Sequence, residues 1–215
     1  IGAAVPDTGH DQDQVRSVVR SLFADAHTDI DRLLHVFEHG HIQQRHFARE
    51  PDWYASDHTF EESNAVYVEA ATELSRKAAE KALSMAGIQA RDLAGVVVAS
   101  TTGLMTPSLD AVLAQELGLP PIAIRLPIFG LGCAGGVGGL ARTMELSKAH
   151  SGALFLFVAV EICSATFQRN DTSKSNLVGS SIFADGAAAL VIGEGNSGPV
   201  LVDSHSHLFT DTYDI

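Results

Sequence analysis

The chain has 215 residues, of which 46% are hydrophobic, two cysteines and a formal net charge of −12. A chain of this size can bury a core without a structural metal, and two cysteines are too few for a disulfide framework. The acidic balance argues against a nucleic-acid or membrane-surface partner, and no apolar run approaches the about 20 residues of a membrane span. We therefore expect one cytoplasmic domain with reduced thiols.

The first half of the chain alternates helical patterns with short apolar runs. Apolar spacing predicts short amphipathic helices over residues 14–23 and 29–39, and a long helix over residues 61–86 that ends at Gly87. A buried strand over residues 95–100 follows. After it we expect a helix over residues 109–117 and a strand over residues 122–126.

The second half continues the alternation. A helix is expected from Cys133 to about residue 150, and another over residues 173–183. Strands are predicted over residues 153–160, 187–193 and 200–207. Apolar strands separated by helices indicate an α/β fold of order βαβαβαββ, a mainly parallel mixed sheet covered by helices.

A glycine-rich run over residues 130–139 places Cys133 between an apolar strand and a helix. At a helix start, unpaired backbone N–H groups and the helix dipole favour a thiolate and could hold an oxyanion. A buried cysteine in a tight turn gives the same pattern, because cysteine also behaves as a small hydrophobic residue. Considered alone, the glycine-rich run does not decide whether Cys133 is a nucleophile or a packing residue. A nucleotide-phosphate loop is disfavoured, since no Gly-Lys-Ser/Thr ending is present.

Three further segments, over residues 161–169, 176–179 and 182–189, complete a recognisable set with Cys133. In order and spacing this set resembles the type III polyketide synthases, the chalcone and stilbene synthase family, over essentially the whole chain. The resemblance implies a thiolase-like fold. It also implies homodimers in which the cysteine works with a histidine and an asparagine of a C-terminal half. Residues 1–215 are then expected to be the N-terminal half-domain, with the C-terminal half absent from this chain.

The implied activity is that of an acyltransferase. Cys133 would take the acyl group of an acyl-CoA starter as a thioester and condense it with malonyl-CoA units to an aromatic polyketide or pyrone. The two CoA thioesters are substrates, and no cofactor is implied. The isolated half is expected to be inactive. The helix start stabilises the thiolate by only about 0.3 to 1 kcal/mol, which lowers the pKa of the thiol by less than about one unit. The pKa of a His-paired catalytic cysteine is lower than that of a free thiol by several units.

The resemblance also assigns a substrate pocket. Phe183 would stand where a CoA tunnel meets the active-site cavity, and Arg32 is the one dependable cation at the positions that would bind CoA. Thr106 replaces a methionine that, in many plant members, reaches across the dimer. The other positions matched to the pocket are Cys163, Thr166, Gly179, Thr101 and Thr102.

Alternatives remain open. A ketoacyl synthase that initiates fatty-acid synthesis shares the fold and the cysteine turn, although residues 166–169 and 182–186 argue against it. A non-catalytic dimerisation or binding module is the second alternative.

Self-association is expected through a sheet edge near residues 153–160. The histidine pairs 35/39 and 205/207 have ligand-like spacing without an obvious third ligand, so we expect no metal.

Overall fold

The computed structural model describes residues 1–195 and 198–211, and its centre is a five-stranded mixed sheet. A separate two-stranded ribbon lies near the N-terminus. The strands are β1 (Gly2–Ala4), β2 (Gly9–Asp11), β3 (Gln44–His46), β4 (Leu93–Ala99), β5 (Ile124–Ile128), β6 (Leu154–Ile162) and β7 (Asp185–Ile192). The helices are α1 (Gln12–Phe23), α2 (Ile30–Leu33), α3 (Val36–His39), α4 (Pro51–Tyr54), α5 (Phe60–Ala86), α6 (Leu109–Leu117), α7 (Gly135–Ala149) and α8 (Lys174–Ile182).

The order of strands in the main sheet is β1-β7-β6-β4-β5. β4 pairs in parallel with β5 and β6, whereas β7 runs antiparallel to β6 and β1. The predicted α/β class is thus confirmed. The carboxyl ends of the three parallel strands meet at one edge, where β5 leads towards Cys133 and β6 ends beside Cys163.

Helices cover both faces of the sheet, and the alternation along β4 shows why. Val96 and Val98 point into the core shared with α5, while Val97 and Ala99 pack with Phe157 on the α7 side. Such strands are buried on both faces, which explains their continuous apolar runs. α5 begins at a capping box between Thr59 and Glu62 and ends at a left-handed glycine, as expected of a well-defined helix.

Two predictions about elements are wrong. Residues 29–39 form two short helices, α2 and α3, rather than one. The predicted strand over residues 200–207 is not part of any described sheet, and Val200 and Val202 are each 80% exposed. A strand needs a neighbour for its backbone N–H and C=O groups, and this segment has no strand partner among the described residues.

The expected sheet edge is also wrong. β6, which contains the predicted strand over residues 153–160, lies between β4 and β7 in the middle of the sheet. The edges of the main sheet are β1 and β5. Over residues 1–195 and 198–211, none of the helices combines the length and apolar character that crossing a lipid bilayer requires.

Candidate active site

Cys133 lies in one turn of 3-10 helix, Gly132–Ala134, that leads directly into α7. Gly130 and Gly132 have φ angles of +84° and +52°. Side chains rarely adopt these left-handed conformations, so the approach to the thiol requires glycine. The Cys133 side chain is exposed, which argues against a buried packing residue. An accessible thiol at a helix start fits a nucleophile.

A carboxylate at the end of β6 organises the loop that follows β4. Glu161 accepts hydrogen bonds from the backbone N–H groups of Thr101 and Thr102, each at 3.0 Å, and from the Thr102 hydroxyl at 2.7 Å. The Thr102 hydroxyl oxygen in turn accepts from the Ile162 N–H at 2.8 Å. The Thr101 hydroxyl oxygen accepts from the Gly132 N–H at 3.1 Å, immediately before Cys133. These bonds join three segments that are distant in sequence.

An apolar cavity of about 260 Å³ lies between α1, α8 and the segment that follows β6. It is lined by four of the predicted pocket residues, namely Cys163, Thr166, Gly179 and Phe183. Phe183 is 48% exposed, and its ring lies 3.4 Å from the position that a Cβ on Gly179 would take, which is an ordinary van der Waals distance.

A more polar cavity of about 330 Å³ lies next to the apolar one and also contains Thr166. Thr102 lines this second cavity. Thr106 and Arg32 line neither of the two. The Arg32 side chain is 74% exposed and donates to Asp29 Oδ2 at 2.6 Å, so its charge is already partly matched.

Cys163 differs from Cys133 in its surroundings. Burial raises the pKa of the Cys163 thiol to about 11, and the nearby carboxylates of Asp185 and Glu161 add to the increase. Both effects disfavour the thiolate. Cys163 is therefore a poor nucleophile at neutral pH, although it lines the apolar cavity.

A buried polar cluster behind the apolar cavity was not assigned a role from the sequence. Asp185 accepts hydrogen bonds from Ser164 N at 2.8 Å, Ser164 Oγ at 2.6 Å and Ala48 N at 2.6 Å. Burial nevertheless raises the pKa of Asp185. The Tyr54 hydroxyl donates to Ser164 Oγ at 2.8 Å. The cluster fastens the segment after β6 to the start of β7.

Arg45 on β3 supports the carbonyl of Phe183. Its side chain is 3% exposed and donates from Nη1 to the Phe183 carbonyl oxygen at 2.9 Å. The guanidinium lies 5.1 Å from the centre of the Phe47 ring, and burial lowers the pKa of Arg45 to about 10. Nothing in the local sequence marks Arg45, because its partner lies 138 residues away. Asp185, by contrast, stands within the motif over residues 182–189.

No group of three or more histidine, cysteine, aspartate or glutamate side chains that could hold a metal occurs in residues 1–195 and 198–211. His35 lies beside a carboxylate, with Nδ1 at 3.1 Å from Glu38 Oε2. His205 and His207 lie in the irregular C-terminal segment rather than on a strand.

Comparison with known proteins places this site in context. The family model for chalcone and stilbene synthases, N-terminal domain, matches residues 1–196. A protein of Bacillus subtilis (strain 168) with a provisional chalcone synthase name is 40% identical over 100% of this chain and 63% of its own length. The 1,3,6,8-tetrahydroxynaphthalene synthase of Streptomyces peucetius subsp. caesius is 34% identical over 99% of this chain and 58% of its own.

Solved structures agree with the sequence relatives. The 1,3,6,8-tetrahydroxynaphthalene synthase of Streptomyces coelicolor A3(2), a bacterial type III polyketide synthase, has a TM-score of 0.93 at 30% identity. The match covers 99% of this chain and 61% of that chain. This chain thus spans about three-fifths of the length of each of these three relatives. By sequence and by fold, the chain belongs to the chalcone and stilbene synthase family, and its fold is the thiolase-like fold of the type III polyketide synthases.

Proposed function

We propose that Cys133 is the acyl-accepting nucleophile of a type III polyketide synthase and that residues 1–215 form its N-terminal half-domain. The observation that carries the proposal is the exposed thiol at the start of α7. The second thiol, Cys163, is disfavoured as a thiolate because its pKa is raised to about 11. Membership of the family supports the same role for Cys133.

The reaction follows from an exposed thiol beside a helix start. The Cys133 sulfur attacks the carbonyl carbon of an acyl-CoA, the new C–S bond forms, and the CoA thiolate leaves. Backbone N–H groups at the start of α7 favour the negative charge that develops on the carbonyl oxygen. Decarboxylation of malonyl-CoA then supplies a carbanion that attacks the Cys133 thioester, forms a C–C bond and releases the Cys133 thiolate.

The apolar cavity suits the acyl group. Its lining by Phe183, Thr166, Gly179 and Cys163 offers a mostly apolar wall with little charge, which favours an apolar starter over a highly polar one. We assign Thr101, Thr102 and Thr106 to the vicinity of this site and Arg32 to the CoA phosphates. The product is proposed to be an aromatic polyketide or pyrone, formed by a homodimer.

The isolated chain should not complete this cycle. A helix N-terminus alone stabilises a thiolate by about 0.3 to 1 kcal/mol, which is less than about one pKa unit. The pKa values of His-paired cysteines are lowered by several units. We propose that a C-terminal half supplies the histidine and asparagine that complete the catalytic site.

Acyl transfer from an acyl-CoA to this chain, followed by intact-mass measurement and peptide mapping, tests the proposal. We expect slow formation of an adduct on Cys133, its loss in Cys133→Ala and its persistence in Cys163→Ser. An adduct mapped to Cys163 would overturn the assignment. With malonyl-CoA added, we expect no continuous release of CO₂, and steady release would contradict the half-domain proposal.

A further inference from the structure

We propose that Thr101 is a positioning residue that holds the Cys133 turn in place through its hydroxyl group. The inference rests on the proposed function of Cys133 as the nucleophile and deepens it. The observation is the hydrogen bond from the Gly132 N–H to Thr101 Oγ1 at 3.1 Å, one residue before the thiol.

The Cys133 turn has few other restraints. It contains glycines in left-handed conformations, and glycine loses more conformational freedom on ordering than any other residue. The Cys133 side chain is exposed, so packing does not fix the thiol. Within residues 1–195 and 198–211, the bond that the Gly132 N–H donates to Thr101 Oγ1 is the one hydrogen bond between residues 130–134 and a side chain.

Thr101 is itself held firmly. Its N–H lies 3.0 Å from each carboxylate oxygen of Glu161, and the neighbouring Thr102 donates to the same carboxylate from both its N–H and its hydroxyl. Hydrogen bonds to a charged acceptor are stronger than neutral ones. The Thr101 hydroxyl is therefore presented to Gly132 from a loop anchored on the end of β6.

This arrangement ties together the carboxyl ends of three adjacent strands. Thr101 follows β4, Glu161 belongs to β6, and Gly132 follows β5. Since β4 lies between β5 and β6 in the sheet, Thr101 is placed to connect both neighbours. The position of the thiol relative to the start of α7 is thus set by a side chain of the loop that follows β4.

Alkylation of Cys133 by iodoacetamide, measured against pH and assigned by peptide mapping, tests the inference on this chain without acyl-CoA. Thr101→Val keeps the shape of the side chain and removes the hydroxyl, whereas Thr101→Ser keeps the hydroxyl. We expect Thr101→Val to slow alkylation about two- to tenfold, the range that corresponds to one hydrogen bond. The midpoint of the rate–pH profile should also move to higher pH, because the thiol is no longer held at the helix start.

Thr101→Ser should restore the parent rate and midpoint. Thr143→Val is the matched control, because the Thr143 hydroxyl donates within α7 to the Gly139 carbonyl oxygen at 2.7 Å and does not touch the turn. It should leave both measurements unchanged. A folded Thr101→Val protein with the parent rate and midpoint would overturn the inference.

Amide hydrogen exchange on the parent protein provides a test that needs no variant. The Gly132 N–H should exchange slowly, and exchange at the rate of an unprotected loop amide would also overturn the inference. Failure of the acyl-transfer experiment leaves both of these measurements intact, so the proposed function and the role of Thr101 can fail independently.

Discussion

The two cysteines of this chain show that position rather than residue type decides which thiol can react. Cys133 is exposed at the start of α7. Cys163 is partly buried on the wall of the apolar cavity, and its pKa is raised to about 11. Burial and two nearby carboxylates both favour its protonated form.

We therefore predict selective alkylation near pH 8. At that pH about one Cys163 thiol in a thousand is ionised, given the usual relation between pKa and thiolate fraction and a pKa of about 11. Iodoacetamide should modify Cys133 first, and modification of Cys163 should become appreciable only as the pH approaches 11. Peptide mapping over a pH series measures both rates. Equal rates at pH 8 would contradict the prediction.

The same raised pKa has a consequence for stability. In the folded chain the Cys163 thiol stays protonated to a higher pH than in the unfolded chain. Its contribution to the free energy of unfolding is fully present below the unfolded pKa, and it is lost as the pH rises towards 11.

Some residues of the site could be predicted from the sequence, and others could not. The thiol turn was predictable, because glycines, an apolar strand and a helix are local signals within residues 122–150. The hydrogen bond between Thr101 and Gly132 was not, because it spans 31 residues and depends on the order of strands. Arg45 was missed for the same reason, since its partner Phe183 lies far along the chain.

At the level of elements, packing against the sheet explains only some of the glycines in α7. A Cβ on Gly139 would overlap the ring of Phe157 on β6, so this glycine lets the helix lie close to the sheet. A Cβ on Gly136 would meet nothing within 4 Å in this chain. The two glycines occupy the same helix and differ in their surroundings.

This difference gives a matched pair of variants. Gly136→Ala should raise the free energy of unfolding by up to about 1 kcal/mol, because alanine is the better helix former. Gly139→Ala should lower it by about 1 to 3 kcal/mol, because Phe157 must move from its packed position. Urea unfolding followed by circular dichroism measures both. Destabilisation by Gly136→Ala to the same extent would contradict the assignment of open space.

Elements were predictable where local signals and tertiary packing agree. The long helix predicted over residues 61–86 is α5, because a capping box precedes it and a left-handed glycine ends it. The strand predicted over residues 200–207 was wrong, although it begins with an apolar run over residues 200–202 that is rich in β-branched valine. Such a run favours extended backbone, and a strand also needs a neighbour for its backbone N–H and C=O groups.

At the level of the whole molecule, the outer side of β5 is an open edge of the main sheet. Pro127 lies in this strand, as is common for edge strands. Large apolar side chains that flank this strand are exposed, namely Ile122 shortly before it and Phe129 directly after it. Open edges and apolar patches of this kind favour association.

We predict that this chain self-associates through the region of β5. A double variant, Ile122→Glu with Phe129→Glu, should shift the chain towards a monomer because it places charges at both ends of β5. Met85→Glu is the control, since Met85 is similarly exposed at the far end of α5. Size-exclusion chromatography with light scattering measures the mass of each. A parent chain that stays monomeric over a wide concentration range would contradict the prediction.

Cys133 follows the edge strand β5, so the reactivity of its thiol can depend on self-association and therefore on protein concentration. Residues 129–132 join β5 to the thiol turn, so a second copy bound at the edge of β5 would lie beside the segment that carries the nucleophile. Association and thiol reactivity then share one free-energy cycle, in which each favours the other. We expect the alkylation rate of Cys133 to depend on protein concentration, whereas that of Cys163, beside the interior strand β6, should not.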